Sequence, residues 1–467
     1  MHGRLVLPAL RWRDDTGFAH EAGTIAEALR FGAGGFILFG GRPEAVRALT
    51  TELRERAGRP LLFAADLERG AGQQFPGLTE FPPPGAIGSL GDPQVVRAAA
   101  ATTASEALGL GINWVLAPDA DLDLEPANPI VQTRSFGPDP VAAGGHVAVW
   151  VGACQEAGAL ACIKHFPGHG RTTRDSHDEV PTVDADLSTL EATDLTPFRA
   201  GITAGVASVM TGHLRVPALD PTGAPATFSA PILRYLRETL RFNGLIVTDA
   251  LMMGAAVKDA AENPAVRALA AGCDLLCYPA DPRAAYEAIG EALRTRVLTE
   301  ARVQEAVGRY EAAVRRVEGG QRGSGAGVSS TVIADRLLER GVVRGTAPRL
   351  RTPIELLIVD DDQGGAWPAS PTEYVEAALN GVGVPLGAGG SRVMLAFAEP
   401  RASKGRAGFG TESLKALRRT SDADLVILFG HPRLAADVPG RAPVLVAWHR
   451  QRLMQEAAAR WIAGRAG

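Results

Sequence analysis

GGFILFGGRPEAVRALTTELRERAGRPLLFAAD (34–66) holds an apolar run, a helix-patterned segment and a second apolar run. The two runs are continuous rather than alternating, which suits strands of a parallel sheet covered on both faces. The segment between them, PEAVRALTTELRERAG (43–58), carries a helix pattern. The same alternation continues outward from this unit. RLVLPAL (4–10) precedes it, and INWVLAP (112–118), ALACIKHF (159–166), SVMTGH (208–213), GLIVTDA (244–250) and CDLLCYP (273–279) follow. DPRAAYEAIGEALRTRV (281–297) is a further helical segment. Eight strands alternating with helices over about 300 residues predict an α/β fold, a (β/α)8 TIM-like barrel. A doubly wound open sheet is the alternative, but no GxGxxG turn follows the first strand. Connections after strands three, four and five are the longest and are rich in Pro, Gly, Asp and His. Loops after the strands build the active site of such a barrel, so these mark where function sits.

The barrel is expected over residues 1–318. EGGQRGSGAGVSS (318–330) follows as a flexible Gly/Ser-rich stretch, giving a linker over 319–330. A smaller α/β sandwich domain is expected over 331–467, with apolar runs IELLIV (354–359), RVMLAFA (392–398), ADLVILFG (423–430) and PVLVAWH (443–449). ESLKALRR (412–419) reads as one of its helices.

A 467-residue chain that is 46% hydrophobic and 21% charged has ordinary globular composition, which excludes disorder and coiled coil as global descriptions. The formal net charge of −4 leaves no basic field for a phosphate backbone, so no nucleic-acid partner is expected. Four cysteines, Cys154, Cys162, Cys273 and Cys277, all in apolar runs, read as reduced buried thiols. No stretch approaches the roughly 18 apolar residues of a membrane span, and the N-terminus has no leader pattern, so the expected location is the cytoplasm.

Residues able to do chemistry collect at strand ends. Asp66 ends strand three, Asp119 follows strand four, Lys164 and His165 end strand five, His213 ends strand six, and Asp249 ends strand seven. In a barrel these ends converge on one pocket. The sharpest segment is KHFPGHGRTTRDSHDEVP (164–181). Lys164 and His165 donate hydrogen bonds from a fixed strand end, and the FPGHG turn supplies a tight backbone path. Asp175 and His177, two apart in a loop, are close enough for the carboxylate to fix the imidazole's tautomer. An oriented histidine of this kind is a general acid/base.

With KHFPGHG, DSH and the following Pro181, the chain resembles glycoside hydrolase family 3, and within it the β-N-acetylglucosaminidases. The likeness runs from about residue 4 to 318 and includes GGFILFG, TRSFG (133–137), VMTGH (209–213), PATFS (225–229) and IVTDALMMGA (246–255). The resemblance implies a retaining exo-acting enzyme that removes terminal GlcNAc from cell-wall glycosides, with a small carbohydrate as its partner and no cofactor or metal. It implies Asp249 as the nucleophile and His177, aided by Asp175, as acid/base. Asp66, Arg134, Lys164 and His165 are the implied sugar-binding residues, with His213 and Met252 beside them. Two departures stand out. The family's DQEGGRVxR is ADLERGAGQQF here, and the second strand ends in FGG where many members have Arg-Asn. Water and phosphate both stay open as acceptors, because a histidine acid/base carries no negative charge to repel phosphate. A β-glucosidase of the same family is the alternative activity.

Three rivals fit less well. A metal-dependent barrel hydrolase would need ligands from His165, His169, His177, His213 and Asp249, but there is no HxH on the first strand and the best His pair passes through Pro and Gly. A Schiff-base aldolase using Lys164 leaves the DSH loop without a role. A binding relative without catalysis is opposed by Asp249, Asp175 and His177 occurring together. Trp114 and Phe166 read as core rather than sugar platforms, Met252 and Met253 as packing beside the nucleophile, and Asp119 as a helix cap.

Overall fold

The computed structural model describes residues 1–173, 180–253, 263–319, 328–362, 371–399, 404–419 and 422–467. The chain forms two compact units: Met1–Thr79 with Pro93–Leu124 and Pro138–Gly327, and Glu80–Asp92 with Glu125–Gly137 and Val328–Gly467. A single cut near residue 318 therefore misses segments 80–92 and 125–137, which belong with the second unit. Most of the expected linker, residues 320–327, lies outside the described residues.

The first unit is a parallel α/β half-barrel. Its strands are β1 (Val6–Leu7), β2 (Ala9–Arg11), β3 (Gly35–Phe39), β4 (Leu62–Ala65), β5 (Trp114–Val115), β6 (Leu160–Phe166), β7 (Ser208–Thr211), β8 (Leu245–Thr248) and β9 (Leu276–Cys277). β2 to β8 form one seven-stranded sheet in sequence order, and β1 pairs with β9. Pro8 splits the first apolar run into β1 and β2 because it has no N–H to give the ladder. Val247 and Leu275 form a parallel bridge, and the Tyr278 N–H donates to Leu7 O at 2.9 Å. Strands of wholly buried residues, such as β4, β6, β7 and β8, are what continuous apolar runs require.

The helices follow their local signals. Pro43–Ala57 begins on Pro, buries Val46, Leu49 and Leu53 along one stripe, and stops at Gly58 in the left-handed region (φ 61°). Each of those apolar side chains contributes about 1.5–3 kcal/mol when fully buried. Asp139 caps the helix Pro140–Glu156 and Asp281 caps Pro282–Arg294, each accepting two backbone N–H groups. Among the described residues no helix is long and apolar enough to cross a membrane.

The second unit is a five-stranded sheet of β10 (Val342–Arg344), β11 (Glu355–Asp360), β12 (Arg392–Ala398), β13 (Leu425–Gly430) and β14 (Val444–Val446), in the order β10-β14-β13-β12-β11. All neighbours are parallel except the antiparallel edge strand β10. The helix Arg452–Ala463 packs against Ser330–Glu339 and Tyr374–Gly381. The two early segments are tied in by side chains. Arg336 pairs with Asp92 at 2.8 Å, Gln451 Nε2 donates to Phe81 O at 2.8 Å, and Gln132 Nε2 donates to Ala407 O at 3.0 Å.

Candidate active site

Within the first unit, chemistry-bearing residues follow the carboxyl ends of adjacent strands: Asp66 and Glu68 after β4, Asp119 and Asp121 after β5, Lys164 and His165 in the last turn of β6, His213 after β7, and Asp249 after β8. Consecutive parallel pairing from β4 to β8 sets these ends side by side.

Lys164 joins the first and third of these strand ends. Its ammonium lies 2.6 Å from Asp66 Oδ1 and 2.8 Å from Glu68 Oε1, with only 3% of the side chain exposed. Two carboxylates around one buried ammonium offset its desolvation. Glu68 is buried with it, whereas Asp66 is 29% exposed and so accessible to a ligand. The charges of Lys164, Asp66 and Asp249 are all felt at two buried thiols, Cys162 and Cys277. Burial is the main reason the Cys162 thiol is pushed up to about 12.

Asp249 is held at a corner. Its N–H donates to Thr211 O at 3.2 Å, and its Oδ1 accepts the Ala250 N–H at 2.7 Å. His213 contacts the same corner at Ala250. A carbonyl only accepts, so the 3.2 Å contact to Ala250 O assigns a hydrogen to Nε2, while Nδ1 meets Thr227 Oγ1 at 2.9 Å. His213 is fully buried and its ring stacks on Phe228. Through its Nε2 contact it holds the backbone at Ala250, next to Asp249. Met252 is 43% exposed, beside buried Met253. Trp114 and Phe166 are fully buried core residues, and the Trp114 indole N–H donates to Ser208 Oγ at 2.8 Å.

His165 is gripped by a residue that the sequence reading passed over. Asp121 Oδ2 lies 2.8 Å from His165 Nδ1, and Asp121 Oδ1 accepts the backbone N–H of His165 (3.2 Å) and of His169 (2.7 Å). Asp119 is no helix cap; its Oδ1 accepts the Asp121 N–H at 2.9 Å in a turn that follows β5. Ligand atoms of Asp119, Asp121 and His165 all lie within 4.8 Å of one another, a spacing able to surround a cation. Both Asp121 oxygens and His165 Nδ1 already serve the hydrogen bonds just described, so a cation held by them would have to displace those bonds. DADLDLE (119–125) places acids at alternate positions 119, 121 and 123, and the structure buries all three.

The KHFPGHG turn is explained by close approach. A Cβ on Gly170 would sit 2.0 Å from Leu122 O, and Gly168 has φ +129°. Arg171 then donates to Asp194 Oδ2 at 2.8 Å and fixes the root of the following loop. Asp175 and His177 lie outside the described residues. Arg134 ends the short helical turn Gln132–Arg134 and falls in the second unit.

A half-barrel that gathers carboxylates, an ammonium and an imidazole at its strand ends is an enzyme's site rather than a structural surface. The family model for the glycosyl hydrolase family 3 N-terminal domain matches residues 28–312. A β-N-acetylglucosaminidase/β-glucosidase of Cellulomonas fimi is 35% identical over 273 residues, covering 56% of this chain and 48% of that protein. The chain thus spans about half the length of that relative. A β-hexosaminidase of Alkalilimnicola ehrlichii is 37% identical over 264 residues, covering 54% of this chain and 75% of the relative. Among solved structures, a family 3 β-N-acetylglucosaminidase from Paenibacillus sp. str. FPU-7 superposes with a TM-score of 0.85 at 26% identity, covering 100% of this chain and 96% of that one. The chain belongs to glycosyl hydrolase family 3.

The two departures from the family pattern touch each other. Gln74 Oε1, in the altered loop after β4, accepts the N–H of Gly40 at the altered end of β3 (3.1 Å). Gln73 Oε1 accepts the Arg69 N–H at 2.8 Å, closing the same loop. The replaced residues therefore form one substituted contact.

Proposed function

We propose that this protein is a retaining exo-β-N-acetylglucosaminidase that removes terminal GlcNAc from cell-wall fragments or related glycosides in the cytoplasm. The observation that carries this reading is the Asp66–Lys164–Glu68 cluster at the strand ends that also bear Asp249. The names of the β-hexosaminidase relatives support the choice of sugar. Four buried cysteines, all free, suit a reducing compartment. The first unit is read as a complete (β/α)8 barrel, supported by the β1–β9 pairing and the Val247–Leu275 bridge. The described sheet of the second unit supports the smaller α/β domain.

In this mechanism Asp249 attacks the anomeric carbon from one face, while protonated His177 gives its proton to the departing oxygen. The glycosyl–Asp249 ester is then hydrolysed by water that neutral His177 deprotonates, and Asp175 stabilises the imidazolium. Lys164, Asp66 and His165 hold the sugar hydroxyls, and His213 keeps the Asp249 corner in place; Arg134 is the further sugar-binding residue that the family resemblance implies. Met252, half exposed, is the further substrate-binding side chain in this reading.

The test is the release of p-nitrophenol from its β-N-acetylglucosaminide and its β-glucoside. Preference for the N-acetyl sugar is expected; turnover of the glucoside alone would retain the family and discard the sugar. His177→Ala is expected to lower kcat by about 10²–10⁴ on substrates with poor leaving groups, the usual contribution of a general acid. The loss should shrink with leaving groups that depart unprotonated. Equal loss across a leaving-group series would remove His177 from the acid role.

A further inference from the structure

We propose that Asp121 is a positioning residue that keeps the hydrogen of His165 on Nδ1 and so fixes which ring nitrogen is offered to the sugar. This rests on the reading of His165 as a sugar-binding residue. A carboxylate oxygen can only accept, so the 2.8 Å contact between Asp121 Oδ2 and His165 Nδ1 requires a hydrogen on Nδ1. In the neutral ring Nε2 is then an acceptor. The other oxygen of Asp121 binds the backbone N–H of the same histidine and that of His169. One carboxylate therefore sets the ring, the main chain beneath it and the next turn of KHFPGHG. Asp121 is itself fixed through its N–H by Asp119, so orientation passes from the end of β5 to the end of β6. The Asp121 side chain is fully buried and the His165 ring is 10% exposed, which leaves the histidine as the group that meets a ligand. A buried carboxylate kept on three N–H donors is costly to retain as mere packing. Its geometry resembles the outer partners that fix histidine tautomers at other sites.

Asp121→Asn separates this role from a structural one. The amide oxygen still accepts both backbone N–H groups, so the turn survives. The amide nitrogen now faces Nδ1 as a donor, and the imidazole hydrogen has to move to Nε2. The experiment is ¹⁵N NMR of the full chain with labelled histidine at alkaline pH, with His165 assigned by its loss in His165→Gln. The wild type is expected to carry hydrogen on Nδ1, and the Asn variant on Nε2. Alongside, KM for p-nitrophenyl β-N-acetylglucosaminide is expected to rise at least about tenfold, with a smaller fall in kcat and little change in Tm. Hydrogen on Nε2 alone in the wild type, or on Nδ1 in Asp121→Asn, overturns the proposal. So does a moved hydrogen with KM unchanged. The wild-type spectrum decides the tautomer even if the variant does not fold. An inactive wild type with the expected tautomers would fault the substrate reading while leaving the Asp121–His165 coupling intact.

Discussion

Asp249→Asn is expected to abolish turnover of p-nitrophenyl β-N-acetylglucosaminide, by roughly three to six orders of magnitude, the range for losing a nucleophile or its charge. Asn is isosteric with Asp and can keep the 2.7 Å hydrogen bond from the Ala250 N–H to Oδ1. The corner built by Thr211, Ala250 and His213 is held by backbone atoms and by Thr227, so it does not need the negative charge. What the amide lacks is a nucleophilic oxygen for the anomeric carbon and the charge that stabilises an oxocarbenium-like transition state. The melting temperature should therefore stay close to that of the wild type while kcat collapses. A 2-fluoro sugar with a good leaving group should add its mass to the wild-type peptide carrying Asp249 and not to the variant's. Near-normal kcat in Asp249→Asn, or the mass appearing on another peptide, would move the nucleophile elsewhere.

Much of this site was legible because its residues stand where period and motif agree. Asp66, Lys164, His165, His213 and Asp249 each follow a continuous apolar run, and the structure puts all five at or beside strand ends of one parallel sheet. Asp121 was not legible, because an acid in DADLDLE reads as a cap or a solvated turn until three N–H donors are seen on its carboxylate. The strand-end place of His213 was legible, but its partners were not: Thr227 and Phe228 come from the separate PATFS turn. Segments 80–92 and 125–137 look like Pro-rich connections, and their membership of the second unit rests on Arg336, Gln451 and Gln132 contacts far away in sequence. Local pattern reports period and chemistry. It does not report which distant side chain completes a hydrogen bond.

Asp274 makes the same point with a larger effect on stability. It stands inside the apolar run CDLLCYP, just before β9, and is fully buried. Its Oδ1 receives Arg302 at 2.8 Å and Arg309 at 3.0 Å, and its Oδ2 receives Arg237 and the Ile246 N–H. Arg302 and Arg309 lie about two turns apart on the helix Glu300–Glu318, so one carboxylate clamps that helix to β8. Burial draws the Arg237 guanidinium down to about 10, against the pull of Asp274. Asp274→Ala removes the anion from between three guanidinium groups and is expected to cost about 3–5 kcal/mol, as for other buried pairs broken on one side. For a unit of this size that lowers Tm by on the order of 10 °C, measured by thermal circular dichroism. Asp274→Asn keeps an acceptor for Arg302 and Arg309 but turns a donor towards Arg237, so its loss should be intermediate. Asp274 meets the amino-terminal end of β8 at Ile246, whereas Asp249 follows its carboxyl end. Residues at the amino-terminal face of such a sheet serve stability and those at the opposite face serve chemistry. Well below its lowered Tm, Asp274→Ala should therefore retain wild-type kcat. An unchanged Tm would mean that the cluster is neutral to folding. A kcat that falls with Tm would mean that the two ends of β8 are coupled.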